Sequence, residues 1–248
     1  MRKTINFLGI EVGALAANDI VGKILEYALA DKNKFITYLN AHCLNTALID
    51  NEYKRILQKA DLVYAGGQGV VWAARFLGAP LPERVNILDF FEILVPELKD
   101  RKITIYLLGG RKGTVKKTEE VLKSKGLRIV GSRDGFFAKS EERELLQEIN
   151  SLKPNILMVG MGVPKQEKWI ADNINALNVN LCWAVGAVFD WLSGQRKRAP
   201  CWMIKFGLEW LHRLWQQPER LWKRYLLGNF IFIRHILNYK LNGYGKDV

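Results

Sequence analysis

The chain has 248 residues, 49% of them hydrophobic, and a formal net charge of +12; this is enough apolar material for one sizeable core with an appendage, and no low-complexity tract or internal repeat points to disorder or a solenoid. Its three cysteines, Cys43, Cys182 and Cys201, are scattered and form no CxxC pair, which excludes a disulfide scaffold and fits a reducing compartment. No run of about 18 uncharged apolar residues exists; the longest candidate, YLLGNFIFI at 225–233, is short and flanked by Arg224 and Arg234.

In chain order, MRKTINFLGIEV is too short in its apolar run for a signal peptide and predicts a first strand. Further strands are predicted at 35–40, 61–65, 103–110, 127–132, 155–162 and 181–187. Helical stretches are predicted at 18–30, 70–78, 89–98, 113–126, 140–152 and 165–177, with Ser140 placed to cap its helix. Near-continuous apolar strands alternating with helices predict an α/β fold, a doubly wound and mostly parallel sheet. After residue 195 the pattern changes. QRKRAP is a basic loop, and 201–240 reads as helices without strands, two of them divided by Pro218. The predicted division is a core at 1–195 and a helical appendage at 196–248.

The appendage holds most of the charge. Residues 195–248 carry eleven Lys/Arg against three Asp/Glu, a net of +8, together with Trp202, Trp210, Trp215 and Trp222. Basic residues among interfacial aromatics suit an anionic membrane surface, nucleic acid, or a solvated helical face over a Trp core, and charge alone does not choose.

Several strands end in glycine: Gly66-Gly67, Gly109-Gly110, Gly160 and Gly162, and Gly186. Ligands of open α/β sheets bind beyond the carboxyl ends of the strands, where glycine lets backbone amides approach phosphate. The competing reading is tight strand-to-helix turns. There is no P-loop and no complete GxGxxG after a first strand, and His42, His212 and His235 show no metal spacing. No cofactor or metal is expected; Arg, Lys and helix N-termini would neutralise a diphosphate. In GMGVPKQEKWI (160–170) a proline-started turn sets Gln166 and Glu167 on the first turn of a helix, with Gln166 expected at the site rim.

The pieces FITYLNAHCLN, ADLVYAGGQGVVWAARFLGAPLPERV, YLLGG, GMGVPKQEKWI, AVGAVFDWLSGQRKRAP and GLEWLHRLWQQPERLWKRYL, in this order over nearly the whole chain, resemble the WecG/TagA/CpsF family of bacterial glycosyltransferases. The resemblance implies a Rossmann-like UDP-sugar-binding core and an appendage at the membrane. It implies inverting, metal-independent transfer of a sugar (N-acetylmannosamine, its uronic acid or glucose) from a UDP-sugar to a polyprenyl-diphosphate-linked acceptor, in surface polysaccharide or teichoic acid synthesis. The partners implied are the two substrates and the cytoplasmic face of the membrane, without nucleic acid; a homo-oligomer is allowed.

Carried over residue by residue, Thr37 and Asn40 resemble the family's sugar-site polar pair. Gln166 matches its glutamine, and Gln68, directly after Gly66-Gly67, is a candidate for substrate binding. Arg84 and Asp89 match an arginine and an acidic position at the substrates, although NILD replaces the usual glycine-containing run. Asp190 closes GAVFD, for donor binding or structure. Arg213, Arg220 and Arg224, spaced to fall roughly on one helical side, match arginines that would grip diphosphate. One position departs: Gly66 stands where the family usually carries the aspartate that would deprotonate the acceptor. Another group takes the proton, with Glu167 and Asp89 better candidates than the nearby Asp61, which is expected on the strand below the site, or the chain is catalytically impaired and binds UDP-sugar or lipid, or the residue has been changed.

Overall fold

The computed structural model describes residues 4–31 and 33–242; Met1–Lys3 of the expected first strand and 243–248 of the expected appendage lie outside them. Eight strands form one sheet in the order β1-β2-β4-β3-β8-β7-β5-β6, parallel throughout except for the first pair.

The N-terminal segment is two strands rather than one. β1 (Thr4–Phe7) and β2 (Ile10–Gly13) pair antiparallel at the sheet edge. Leu8 and Gly9 turn the chain at φ 54° and 84°, the left-handed pair that a two-residue hairpin needs. Asn6 Oδ1 accepts from the Gly9 N–H at 2.8 Å.

α1 (Ala17–Ala28) leads to β3 (Lys34–Leu39). The segment after it, assigned no helix from sequence, folds as α2 (Ala41–Ile49) and α3 (Asn51–Lys59). Each is opened by a side-chain cap at 3.0 Å, Asn40 Oδ1 to the Cys43 N–H and Asp50 Oδ1 to the Tyr53 N–H. α2 lacks a clear polar face because the C-terminal helix covers it from outside.

β4 (Leu62–Ala65), α4 (Gln68–Phe76), α5 (Ile87–Asp100), β5 (Thr104–Gly109), α6 (Lys112–Ser124) and β6 (Arg128–Arg133) follow. α7 (Glu142–Leu152), β7 (Ile156–Gly160), α8 (Lys165–Asn173), β8 (Leu181–Ala184) and α9 (Val188–Leu192) complete the sheet region. Ser140 does not cap α7. It lies in a short 3₁₀ turn, Lys139–Glu141, and the Glu141 carboxylate accepts from the Ala138 N–H at 2.7 Å.

Strand alternation separates the two faces of the sheet. Ile105, Leu107, Leu181 and Trp183 join α1, α5, α6 and α9 on one side. Tyr106, Leu108, Cys182 and Ala184 meet α7 and α8 on the other, and α2, α3 and α4 cover Leu39, Val63 and Ala65 beside them.

The tail runs through α10 (Cys201–Lys205), α11 (Glu209–Gln216), α12 (Pro218–Trp222), a π-helical turn at Lys223–Leu227 and α13 (Gly228–Asn242). Pro218 opens α12 as expected, after Gln217 leaves the helical region at φ −144°, ψ 64°. That break puts Arg213, Arg220 and Arg224 on three successive elements, so they do not share one helical side. α13 returns to the core and buries Phe232 and Ile236 among α2 and α4. It is fastened by Asn45 Nδ2 to the Gly228 carbonyl and Lys240 Nζ to the Phe76 carbonyl, both at 2.7 Å.

Candidate active site

Strand register assembles the site. Leu39 of β3 lies beside Ala65 of β4, so Asn40 and the Gly66-Gly67 pair leave the sheet together at its carboxyl edge. The backbones there are close. A Cβ on Gly66 would stand 2.9 Å from Tyr38 Cβ, and one on Gly67 would stand 3.0 Å from Asn40 Cβ. The tail roofs these strand ends and forms with them a half-open cavity of about 690 Å³, within the range of small-ligand sites. Its floor is Asn40, His42, Gly66, Gly67 and Gln68; its roof comes from Glu209, Trp210, Arg213, Arg224 and the inner side of α13. Gly207, at φ +71°, lets the roof backbone rest on Trp72, whose ring would be 2.7 Å from a Cβ there.

One wall is ionic. Arg84 Nη1 reaches Glu209 Oε2 at 2.6 Å and Arg84 Nη2 reaches Asp89 Oδ2 at 2.9 Å; Asp89 also pairs with Arg198. Asn86 Nδ2 lies 3.4 Å from both Glu209 oxygens. Arg84 and Glu209 therefore tie α11 to the core, and Asp89 ties down the basic loop before α10. Asp190 does the same from α9, pairing with Arg196 at 2.8 Å. Burial lowers the Arg196 pKa, and the Arg213 and Arg220 charges lower it further against the opposing pull of Asp190, so three guanidiniums are crowded at this end.

Arg213 and Arg224 line the cavity, and the Nε of each is buried without a hydrogen-bond partner. Arg213 lies over the Trp191 ring at 5.6 Å and Arg224 over Tyr225 at 5.8 Å. Buried donors without partners are uncommon, and two guanidiniums in one cavity form an anion receptor. Arg220 is exposed and outside the lining.

A buried polar cluster lies beneath the floor. Thr37, Gln166 and Glu167 are fully buried. Gln166 is therefore not at the rim: its Oε1 accepts from the Gly162 and Gly186 N–H groups at 3.2 and 3.0 Å, and its Nε2 donates to Glu167 Oε1 at 2.7 Å. Thr37 Oγ1 donates to the same oxygen at 3.1 Å, and Glu167 Oε2 has no partner. Burial pushes the Glu167 carboxyl up to about 7, against the hydrogen bonds from Gln166, its own backbone and Thr37. The two carboxylates expected to replace the base both stand off the cavity: Glu167 is under the floor and Asp89 is between two arginines.

The remaining glycines meet one another. A Cβ on Gly109 would stand 2.5 Å from the Gly160 carbonyl, one on Gly160 2.8 Å from the Gly186 oxygen, and one on Gly186 2.4 Å from the Tyr38 hydroxyl. Close packing of strand ends thus requires glycine at Gly109, Gly160 and Gly186. Gly110 and Gly162, at φ +66° and +84°, turn the chain after β5 and β7. Among the described residues no group of three His, Cys, Asp or Glu is placed to hold a metal ion.

The family model for the WecG/TagA/CpsF glycosyl transferases matches residues 5–246. The chain belongs to this family. It is 32% identical, over 82% of its length and 79% of the relative's, to an N-acetylglucosaminyldiphosphoundecaprenol N-acetyl-beta-D-mannosaminyltransferase of Bacillus spizizenii. It is 29% identical to the Bacillus subtilis protein of the same name, over 82% of this chain and 85% of that one.

Of the residues singled out from sequence, Asn40, Gly66, Gln68, Arg84, Arg213 and Arg224 line the cavity of this glycosyltransferase. Thr37, Gln166, Asp89 and Asp190 support it from outside. Sequence reasoning passed over His42, Asn86 and Glu209. His42 directly follows a strand end at a helix start, a signal that could have been read; Glu209 sits in a tail read for its positive charge. Burial, then the Arg224 charge, brings the His42 pKa down to about 4, so its ring is neutral at pH 7.

Proposed function

We propose that this glycosyltransferase moves an N-acetylmannosamine-type sugar from a UDP-sugar to a sugar carried on a polyprenyl diphosphate, at the cytoplasmic face of a membrane, in surface polysaccharide or teichoic acid synthesis. The observation that carries the reading is the roofed cavity with two unpartnered arginine Nε donors, Arg213 and Arg224. It offers positive charge where a diphosphate would lie and limits the access of water to a reactive donor. Asn40 and Gln68, on the floor, are placed to orient sugar hydroxyls, and Thr37 and Gln166 hold the strand ends from below. Because guanidiniums and strand-end amides can stabilise the departing diphosphate, the reaction requires no metal.

The membrane part of the reading rests on exposed apolar side chains of the tail: Trp202, Phe206, Trp215, Trp222, Phe230 and Leu241 are 43–83% exposed. No helix of the described residues is long and apolar enough to cross a membrane. Aromatics interleaved with Lys and Arg bind an anionic interface instead. Gly66 favours a second reading, a member that binds substrates without turnover.

The test is transfer of labelled N-acetylmannosamine from its UDP form to a short-chain N-acetylglucosaminyl diphosphate lipid. Turnover that persists in excess EDTA is expected. UDP binding without transfer would leave only the second reading, and transfer that EDTA abolishes would refute the metal-free mechanism. Loss of binding to anionic vesicles in a Trp215→Ser/Phe230→Ser variant tests the membrane face.

A further inference from the structure

If Gly66 cannot accept the acceptor's proton, some other group on the cavity surface must do so, or attack proceeds unassisted. The structure narrows the choice. Asp89 is held by Arg84 and Arg198, and Glu167 is sealed beneath the floor. Among the described residues, the ionisable side chains lining the cavity are His42, Arg84, Glu209, Arg213, Arg224 and Tyr225. The three arginines offer donors and no acceptor. Glu209 is engaged by Arg84 at 2.6 Å and by Asn86. Tyr225 is a phenol whose ring lies under the Arg224 guanidinium and tilted against Trp210.

His42 remains. It is the second residue of α2, two positions after the capping Asn40, against which Gly67 packs. That places it on the same strand-end floor as Gly66, where the family aspartate would stand. Its ring enters no hydrogen bond or ion pair among the described residues, so a ring nitrogen is free to accept.

We propose that His42 is the general base of this chain, replacing the carboxylate absent at Gly66; the proposal rests on the transferase reading above. The acceptor hydroxyl oxygen bonds to the anomeric carbon of the donor as the bond from that carbon to the diphosphate oxygen breaks. The electron pair leaves with UDP, and the hydroxyl proton passes to His42. The resulting imidazolium lies beside the new negative charge and releases its proton to solvent as UDP departs. Arg224 supplies a coupling. Burial, then the Arg224 charge, depresses the basicity of His42; a bound diphosphate that offsets the Arg224 charge removes that second part, so the base gains strength when substrate is present.

The experiment compares the native chain with His42→Ala and His42→Gln, using UDP-N-acetylmannosamine and the short-chain N-acetylglucosaminyl diphosphate lipid as probes, with UDP affinity measured by calorimetry. Both variants are expected to lose about 100- to 1,000-fold in turnover while binding UDP as the native chain does. Added imidazole is expected to restore His42→Ala in proportion to its concentration, a rescue that a merely structural role would not produce. Turnover within about threefold of native in either variant, or a loss that imidazole leaves untouched, overturns the base. A native chain that binds UDP and transfers nothing overturns the transferase reading and the base with it.

Discussion

Glu167 makes the stability of this protein depend on pH in a direction that can be worked out. Its carboxyl moves from an ordinary 4.5 to about 7 because it is fully buried with one oxygen unpartnered. Between those two values the folded chain keeps a proton that the unfolded chain has released. Stability from this group is therefore fully present below pH 4.5, falls as pH rises, and is lost above 7. At about 1.4 kcal/mol per pH unit the loss is about 3 kcal/mol. Glu167→Gln cannot ionise, yet keeps an oxygen to accept from Thr37 and Gln166. It should match the native chain near pH 4 and exceed it at pH 8 by about 3 kcal/mol, or about 6–12 °C in Tm for a chain of this length. Thermal melts of both proteins from pH 4 to 8 measure the difference directly, since all other titrating groups are common to both. Parallel curves, or a variant less stable at pH 8, would refute the assignment of a protonated, poorly solvated carboxyl beneath the floor.

Three further outcomes are expected. Glu209→Ala leaves Arg84 with Asp89 alone and releases α11 from the core; loss of one partner from a buried pair should cost about 3–5 kcal/mol and show as faster proteolysis between α10 and α12. Gly66→Asp sets a Cβ 2.9 Å from Tyr38 Cβ, so melts should show overpacking of about 1–3 kcal/mol even if the new carboxylate raises turnover. Arg224→Ala removes a charged donor from the cavity and should weaken UDP or lipid diphosphate binding about 10- to 150-fold, with the effect shrinking as ionic strength rises.

The parallel strands were legible because they are short, mostly apolar runs, several of them ending in glycine, and the helices between them because most bury one face only. α2 was not, since α13 covers its outer side and removes the polar stripe that periodicity needs. The hairpin was missed because its turn interrupts one short apolar segment with Leu8, a residue that seldom takes positive φ. The same contrast applies to the site. Motifs identified Arg84, Asp89 and Gln166 as important, but not that Asp89 holds a loop or that Gln166 hydrogen-bonds two strand-end amides out of solvent.

The sequence by itself determined the alternation of strands and helices over most of the core, the family, and the basic aromatic character of the tail, because these are written in local patterns of residue type. Only the tertiary structure decided which charges face the cavity and which are neutralised. That outcome depends on contacts between residues more than a hundred positions apart, such as Arg84 with Glu209 and Asp89 with Arg198. It depends equally on the fold-back of α13, which roofs the strand ends and makes His42 and Gly66 part of one cavity lining.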